Sequence, residues 1–264
     1  MKTRVISAII ALPVLFFVLL TGGVSLYIST FVLSIIGLYE FYKAFSKKYQ
    51  TVKYAGYIVT AAWFLGYFAN FSSDYFTFLI AFFLFFIMAL TVFTKQDIMG
   101  SAITFIGFFY VTFALSHIIM ISEVDNNFFI WYPFIIAFIT DTFAYLTGKM
   151  IGKTPLIPSV SPNKTVEGSI GGIVACLIFS FAYARIWNPD FQVFAIFLGL
   201  AGSILSQVGD LIASKIKRIL DIKDFGKIMP GHGGVLDRFD SLLITLPLVY
   251  YFIVLYGYIR TVLV

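Results

Sequence analysis

Residues 209–241 read GDLIASKIKRILDIKDFGKIMPGHGGVLDRFDS, and the rest of the chain is organised around them. Six of the 18 basic and five of the 13 acidic residues fall here, with one of two histidines in a Pro-Gly-His-Gly-Gly turn. Nearly everything outside is apolar. The whole chain is 60% hydrophobic and 12% charged, against roughly 25% charged in an ordinary soluble domain. A charge beside lipid is costly unless it is paired, hydrated or bound to a ligand. The stretch therefore reads as a polar loop joining two spans of an all-α, polytopic integral membrane protein.

Working outward, a span needs about 20 apolar residues. Nine candidates follow, at roughly 4–21, 25–44, 54–71, 75–94, 98–121, 128–148, 166–187, 191–216 and 241–260. The first, led by Lys2 and Arg4, is read as a retained span because no small-x-small cleavage site stands out. With the N-terminus inside, 16 basic residues fall in cytoplasmic segments and only Arg185 and Arg260 fall outside. That asymmetry is the positive-inside signal. It places both long loops, 149–165 and 217–240, at the cytoplasmic face of a cell membrane. Trp131 and Trp187 fall at the expected outer ends, where amphipathic rings sit. The basic excess is then explained by anionic lipid rather than nucleic acid. Spans one to five (1–124) carry almost no interior charge and read as scaffold. Spans six to nine with the two loops (125–264) carry the polar residues and read as the catalytic region.

Asp210 lies inside the eighth span. Ser206, Asp210, Ser214 and Lys217 share one helix face by their spacing, and an ionisable group within a span marks a functional site. The plainer reading is a carboxylate neutralised by Lys217 or Arg218. Asp237 and Asp240 are expected to open the ninth span on one side of a helix, either as binding groups or as simple caps. Just upstream, His232-Gly233-Gly234 offers backbone amides to an anion, and Arg238 adds a phosphate-matching guanidinium. Carboxylates beside a phosphate repel it unless a divalent cation lies between. The combination implies Mg²⁺, with substrate phosphates completing its shell. In the other loop, Ser161, Lys164 and Thr165 form a second plausible phosphate contact. There the alternative is a helix start capped by Thr165, with Glu167 in its first turn and Lys164 facing head groups. Asp141 and Tyr145 sit four apart on the sixth span. Glu40 and Lys43 are read as an i, i+3 pair, His117 as a packing or pore-facing residue, and Trp63 as lipid-facing or core. A single cysteine, Cys176, excludes an intrachain disulfide and a Cys-based zinc site. No Walker loop and no Ser-His-Asp arrangement occurs.

Taken together, Ser214-x-x-Lys217-Arg218, Lys223-Asp224, His232-Gly233-Gly234 and Asp237-Arg238-x-Asp240 resemble the signature of the phosphatidate cytidylyltransferases. Ser161-Pro162, Lys164-Thr165 and Glu167-Gly168 are similar to a second motif of that family, with Val166 where many members carry Trp. The resemblance implies transfer of CMP from CTP to phosphatidic acid, Mg²⁺ dependence, a second cation such as K⁺, and a homodimer with a cavity open to membrane and cytoplasm. It implies metal on Asp210 and Asp237, with Asp240 and Asp141 in support. Lys164, Lys217, Arg218 and Arg238 would then offset phosphate charge, with Ser161, Thr165, Ser214, Lys223, Asp224, His232, Gly233 and Gly234 contacting substrate. The lipid phosphate is already anionic near neutral pH, so the expected work is removal of repulsion rather than proton abstraction. Alternatives are a cytidylyltransferase for an isoprenoid-ether lipid phosphate, a lipid-alcohol kinase, and a transporter or channel. The last would show broken helices in two repeats.

Overall fold

The computed structural model describes residues 2–95, 97–124, 128–229, 231 and 233–263. Among them, seven helical runs are long and apolar enough to cross a membrane: Gly23–Phe45, Ser73–Phe93, Ile98–Ser122, Phe129–Ile151, Val166–Trp187, Pro189–Ile219 and Leu242–Val262. The other two expected spans correspond to α1 (Lys2–Thr21), whose described apolar part is Leu12–Thr21, and α3 (Lys53–Phe68). At 1.5 Å per residue α3 is about 24 Å long, short of the ~30 Å hydrocarbon core. The chain forms two compact units.

The first unit comprises Met1–Ile119 and Ile219–Arg238. In it α2 (Gly23–Phe45) packs on α3 and on a π-helical turn, Phe108–Phe113, that joins α5 (Ile98–Gly107) to α6 (Ala114–Ser122). The packing is aromatic. Trp63 is buried and stands edge-on to Phe76 and Phe108, which settles it as a core residue. Two pairs of polar groups are matched inside: the Tyr42 hydroxyl donates to the Thr104 carbonyl at 2.8 Å, and the Thr60 and Thr112 hydroxyls bond at 2.8 Å. Such pairing is what burial demands. His117 bonds the Phe113 carbonyl at 2.7 Å and stacks edge-on with that ring, so it packs. The expected Glu40–Lys43 pair does not form. Glu40 is buried and accepts the Leu236 N–H at 3.0 Å, while Lys43 reaches the Tyr39 hydroxyl at 3.3 Å. A long lysine stem can carry its ammonium outward along apolar surface, whereas a buried carboxylate must find donors inside.

The second unit comprises Met120–Arg218 and Phe239–Val264. Here α7 (Tyr132–Ile151) and α8 (Val166–Trp187) lie closely side by side. Glycine makes this possible: a Cβ on Gly168 would come 2.6 Å from the Ala144 carbonyl, and one on Gly172 2.7 Å from that of Thr140. Between the two helices the chain is not helical. Strands β1 (Pro155–Ile157) and β2 (Ser161–Thr165) form a short antiparallel hairpin within the expected loop of this all-α protein. Prolines 155, 158 and 162 disfavour helix in that loop. Glu167 fastens the hairpin by accepting the N–H groups of Lys153 (3.1 Å) and Thr154 (3.2 Å). Thr165 caps α8, its hydroxyl accepting from Gly168 N–H at 3.1 Å, as the plainer reading of that segment had it. The long α9 (Gln192–Ile219) follows, and α11 (Leu242–Leu263) packs against α7.

A second correction concerns Asp237 and Asp240. Helix α10 (Leu236–Phe239) is four residues long and stops before Asp240. Asp240 sits in a turn, accepting the Ser241 N–H at 2.9 Å, and Ser241 in turn starts α11 by accepting from Thr245 N–H at 3.1 Å. The local side-chain bond competes with the helical ladder, as Asp and Ser do at helix boundaries. The two carboxylates therefore do not share a helix face.

Candidate active site

In the second unit a cleft of about 560 Å³ opens between α7, the hairpin and α9. That volume is within the roughly 300–1,000 Å³ usual for small-molecule sites. From α7 come Asp141 and Tyr145, four residues apart; from β2 come Ser161, Asn163, Lys164 and Thr165; from α9 come Gln207, Asp210 and Ser214. The α9 residues lie at helical spacing on one face, as their positions dictate. Gly209 lets this face approach the next segment, since a Cβ there would stand 2.9 Å from the Asp240 carbonyl.

The charges in the cleft pair across elements rather than along α9. Lys164 forms an ion pair with Asp210, and both side chains keep about a quarter of their surface exposed, at 29% and 24%. Neither Lys217 nor Arg218 supplies the bond to Asp210 that the plainer sequence reading gave them. The Arg218 Nε instead donates to the Val160 carbonyl at 3.5 Å, tying α9 to the hairpin turn. Asp141 accepts from the Ser241 hydroxyl at 3.4 Å. Burial pushes the Asp240 carboxyl up to about 7. The negative charges of Asp210 and Asp141 add to this, and the Ser241 N–H and Lys217 partly offset it. The charges of Asp141 and Asp210 thus lie close enough to disfavour the ionisation of Asp240.

This donor set has the chemistry of a hard-cation site: carboxylate oxygens from three elements, crowded enough that a positive charge would stabilise them all. As they stand, no group of three acidic, His or Cys side chains among the described residues is gathered into a finished cage. The ammonium of Lys164 supplies the positive charge paired with Asp210.

The remaining expected site residues lie in the first unit, on the loop Ile219–Arg238. There Asp237 is buried, and its Oδ2 accepts the N–H groups of Phe225 (2.8 Å) and Gly234 (3.0 Å). Met229 N–H closes the turn onto the Gly233 carbonyl at 2.9 Å. Gly233 has φ +87°, a conformation that needs glycine, and a Cβ on it would lie 2.9 Å from Asp237 Oδ2 and 3.3 Å from Asp224 Oδ1. Lys223, Asp224 and Arg238 are exposed on this loop. His232 lies outside the described residues.

Six expected residues thus meet in one cleft: Asp141, Ser161, Lys164, Thr165, Asp210 and Ser214. Asp240 and Lys217 join them electrostatically. Sequence reasoning passed over Asn163 and Gln207, although Gln207 stands one turn before Asp210 on an otherwise apolar span. It also misread Glu40, whose interior position on an apolar helix was itself a signal.

The comparisons extend beyond the motifs. The chain matches the cytidylyltransferase family over residues 2–256. It is 32% identical to a phosphatidate cytidylyltransferase of Bacillus subtilis (strain 168), across 97% of this chain and 99% of that protein. It is 37% identical to one of Staphylococcus aureus (strain COL), across 94% and 97%, and 33% identical to one of Staphylococcus haemolyticus (strain JCSC1435), across 94% and 97%. These matches run from α1 into α11, taking in both the cleft and the glycine loop, and the chain therefore belongs to the cytidylyltransferase family.

Proposed function

We propose that this chain transfers CMP from CTP to phosphatidic acid, giving CDP-diacylglycerol and pyrophosphate for phospholipid synthesis. The observation that carries the reading is the cleft in which Lys164, from the hairpin, meets Asp210, from α9, beside Asp141 and Asp240. It is supported by likeness over nearly the whole chain to proteins named for this activity.

The lipid phosphate is the nucleophile and is already ionised, so no residue has to act as a strong base. The obstacle is repulsion between that anion and the triphosphate. Lys164 is placed to exchange its bond with Asp210 for one with a phosphate oxygen. Lys217 lies beside Asp240 and offsets charge there. Arg218 holds the hairpin turn against α9 and so keeps Ser161 and Lys164 at the cleft. Asp210, Asp141 and Asp240 would hold Mg²⁺. Bound there, such an ion would supply positive charge to the carboxylates and to the substrate phosphates, the charge that an in-line displacement at the α-phosphorus needs. A monovalent second cation and a homodimer complete the reading. On the loop Ile219–Arg238, Lys223 and Arg238 supply further positive charge for phosphate, while Asp237 holds the loop's backbone.

The asymmetric distribution of basic residues supports nine spans, with α1 and α3 crossing as well, the N-terminus inside and the cleft at the cytoplasmic face of the cell membrane. The decisive experiment incubates purified protein with labelled CTP and phosphatidic acid, with Mg²⁺ or with chelator. Labelled CDP-diacylglycerol and pyrophosphate should form with Mg²⁺ only. Absence of product, or turnover confined to an isoprenoid-ether lipid phosphate, would reject the assignment.

A further inference from the structure

Among the described residues 2–122, Glu40 is the one carboxylate beyond the first turn of a helix. It is 1% exposed, which is costly for a carboxylate without a task. We propose that Glu40 is a positioning residue: its side chain is the template on which the loop Ile219–Arg238 of the same unit is shaped.

Three observations converge on this. First, Glu40 Oε2 accepts the Leu236 N–H at 3.0 Å, across 196 positions of sequence. Second, the loop has glycine where Glu40 needs room. A Cβ on Gly234 would lie 2.5 Å from Glu40 Cδ, and one on Gly226 would also lie 2.5 Å from it. Neither glycine has a positive φ, whereas Gly231 and Gly233 do. At 226 and 234 the lack of a side chain therefore meets a demand for space rather than for conformation. Third, the face of α2 one turn earlier continues the seat, because a Cβ on Gly37 would meet the Leu236 side chain at 3.2 Å. Asp237 works on the same strip of backbone, taking the N–H groups of Phe225 and Gly234. Two carboxylates thus hold the loop from two sides, one from within it and one from α2. Glu40 Oε1 has no hydrogen-bond partner among the described residues, so the second oxygen fills space rather than completing a network.

The catalytic consequence rests on the proposed function, in which Lys223 and Arg238 on this loop contact phosphate. Two readouts keep the ideas apart. Limited trypsin digestion in detergent reports cleavage at Lys223 and Lys227, and turnover of CTP with phosphatidic acid reports activity. Glu40→Ala should open the loop to trypsin and lower kcat/KM by about 10²-fold, the cost associated with displacing a working group by about 1 Å. Glu40→Gln keeps an oxygen acceptor and the volume. It should stay protected and within about fivefold of wild type, well inside the tenfold that 1.4 kcal/mol represents, with an unshifted pH–rate profile. Should Glu40→Ala not survive purification, Gly226→Ala carries the test and should open the loop equally. Wild-type protection in Glu40→Ala or Gly226→Ala overturns the proposal. So does a Glu40→Gln enzyme as damaged as Glu40→Ala, because charge rather than shape would then be at work. A wild-type protein inert toward both substrates, yet with trypsin sites exposed in Glu40→Ala, would sink the functional reading and leave the positioning role standing.

Discussion

The cleft of the second unit and the glycine loop of the first both gather carboxylates, and they treat them in opposite ways. At the loop, Asp237 from within it and Glu40 from α2 are buried and take backbone N–H groups. In the cleft, Asp141, Asp210 and Asp240 are only partly covered, and the first two disfavour the charge of the third while lysines stand by. The first arrangement ties backbone within its own unit. The second is electrostatically incomplete and would gain most from an added cation. Acidic side chains thus face fixed backbone donors in one region and mobile side chains in the other.

That contrast breaks most readily at Asp210. Asp210→Asn should lower kcat by about 10²–10³, the usual cost of removing a key electrostatic group. Its thermal unfolding midpoint should be unchanged or higher, since one repelling charge is gone. Near-normal turnover at limiting Mg²⁺ would remove Asp210 from the site. Asp237→Ala should do the reverse and destabilise, leaving two buried N–H groups without their acceptor at about 1–3 kcal/mol each. An unfolding midpoint equal to wild type would show that the loop does not depend on it. Lys164→Met should raise KM for CTP or lipid by about tenfold, equivalent to 1.4 kcal/mol, with the pH–rate profile unmoved. A shifted profile would assign the lysine to proton transfer. The smallest effect belongs to Lys48→Ala. Its ion pair with Asp221, at 3.4 Å, is well exposed, at 42% and 85%. Pairs of this kind contribute about 0.2–1 kcal/mol. Activity should be unaltered, and a large loss would mean that the two regions differ less than their geometry says.

Much of this was legible in sequence because hydropathy is a local signal. The apolar runs located seven spans, and the charge excess located the loops. The helical spacing of Ser206, Asp210 and Ser214 predicted a shared face, and Asp210 and Ser214 do line the cleft. What was not legible depended on distant partners. No local pattern announces that Lys164 meets Asp210 or that Glu40 meets Leu236, and an i, i+3 spacing made Lys43 look like the nearer mate. The hairpin and the break at Asp240 were missed for a different reason. Short segments are decided by a few backbone bonds, such as Glu167 to Lys153 and Thr154, that propensity cannot see.

The π turn at Phe108–Phe113 has a consequence for phase. Ile103, Gly107, Val111, Leu115 and Ile119 are all buried and recur every four residues. An unbroken α-helix advances about 100° per residue, so sixteen residues would carry such a stripe about 160° round the axis, from core to lipid. A π turn accommodates one residue more than an α turn and returns about 100° of that drift. The span can therefore keep a four-residue rhythm and still face one way along its length. Deleting a single residue there would let the turn relax to an α turn with His117 still in its aromatic seat, whereas tightening the π turn without a deletion would rotate everything after it by about 100°.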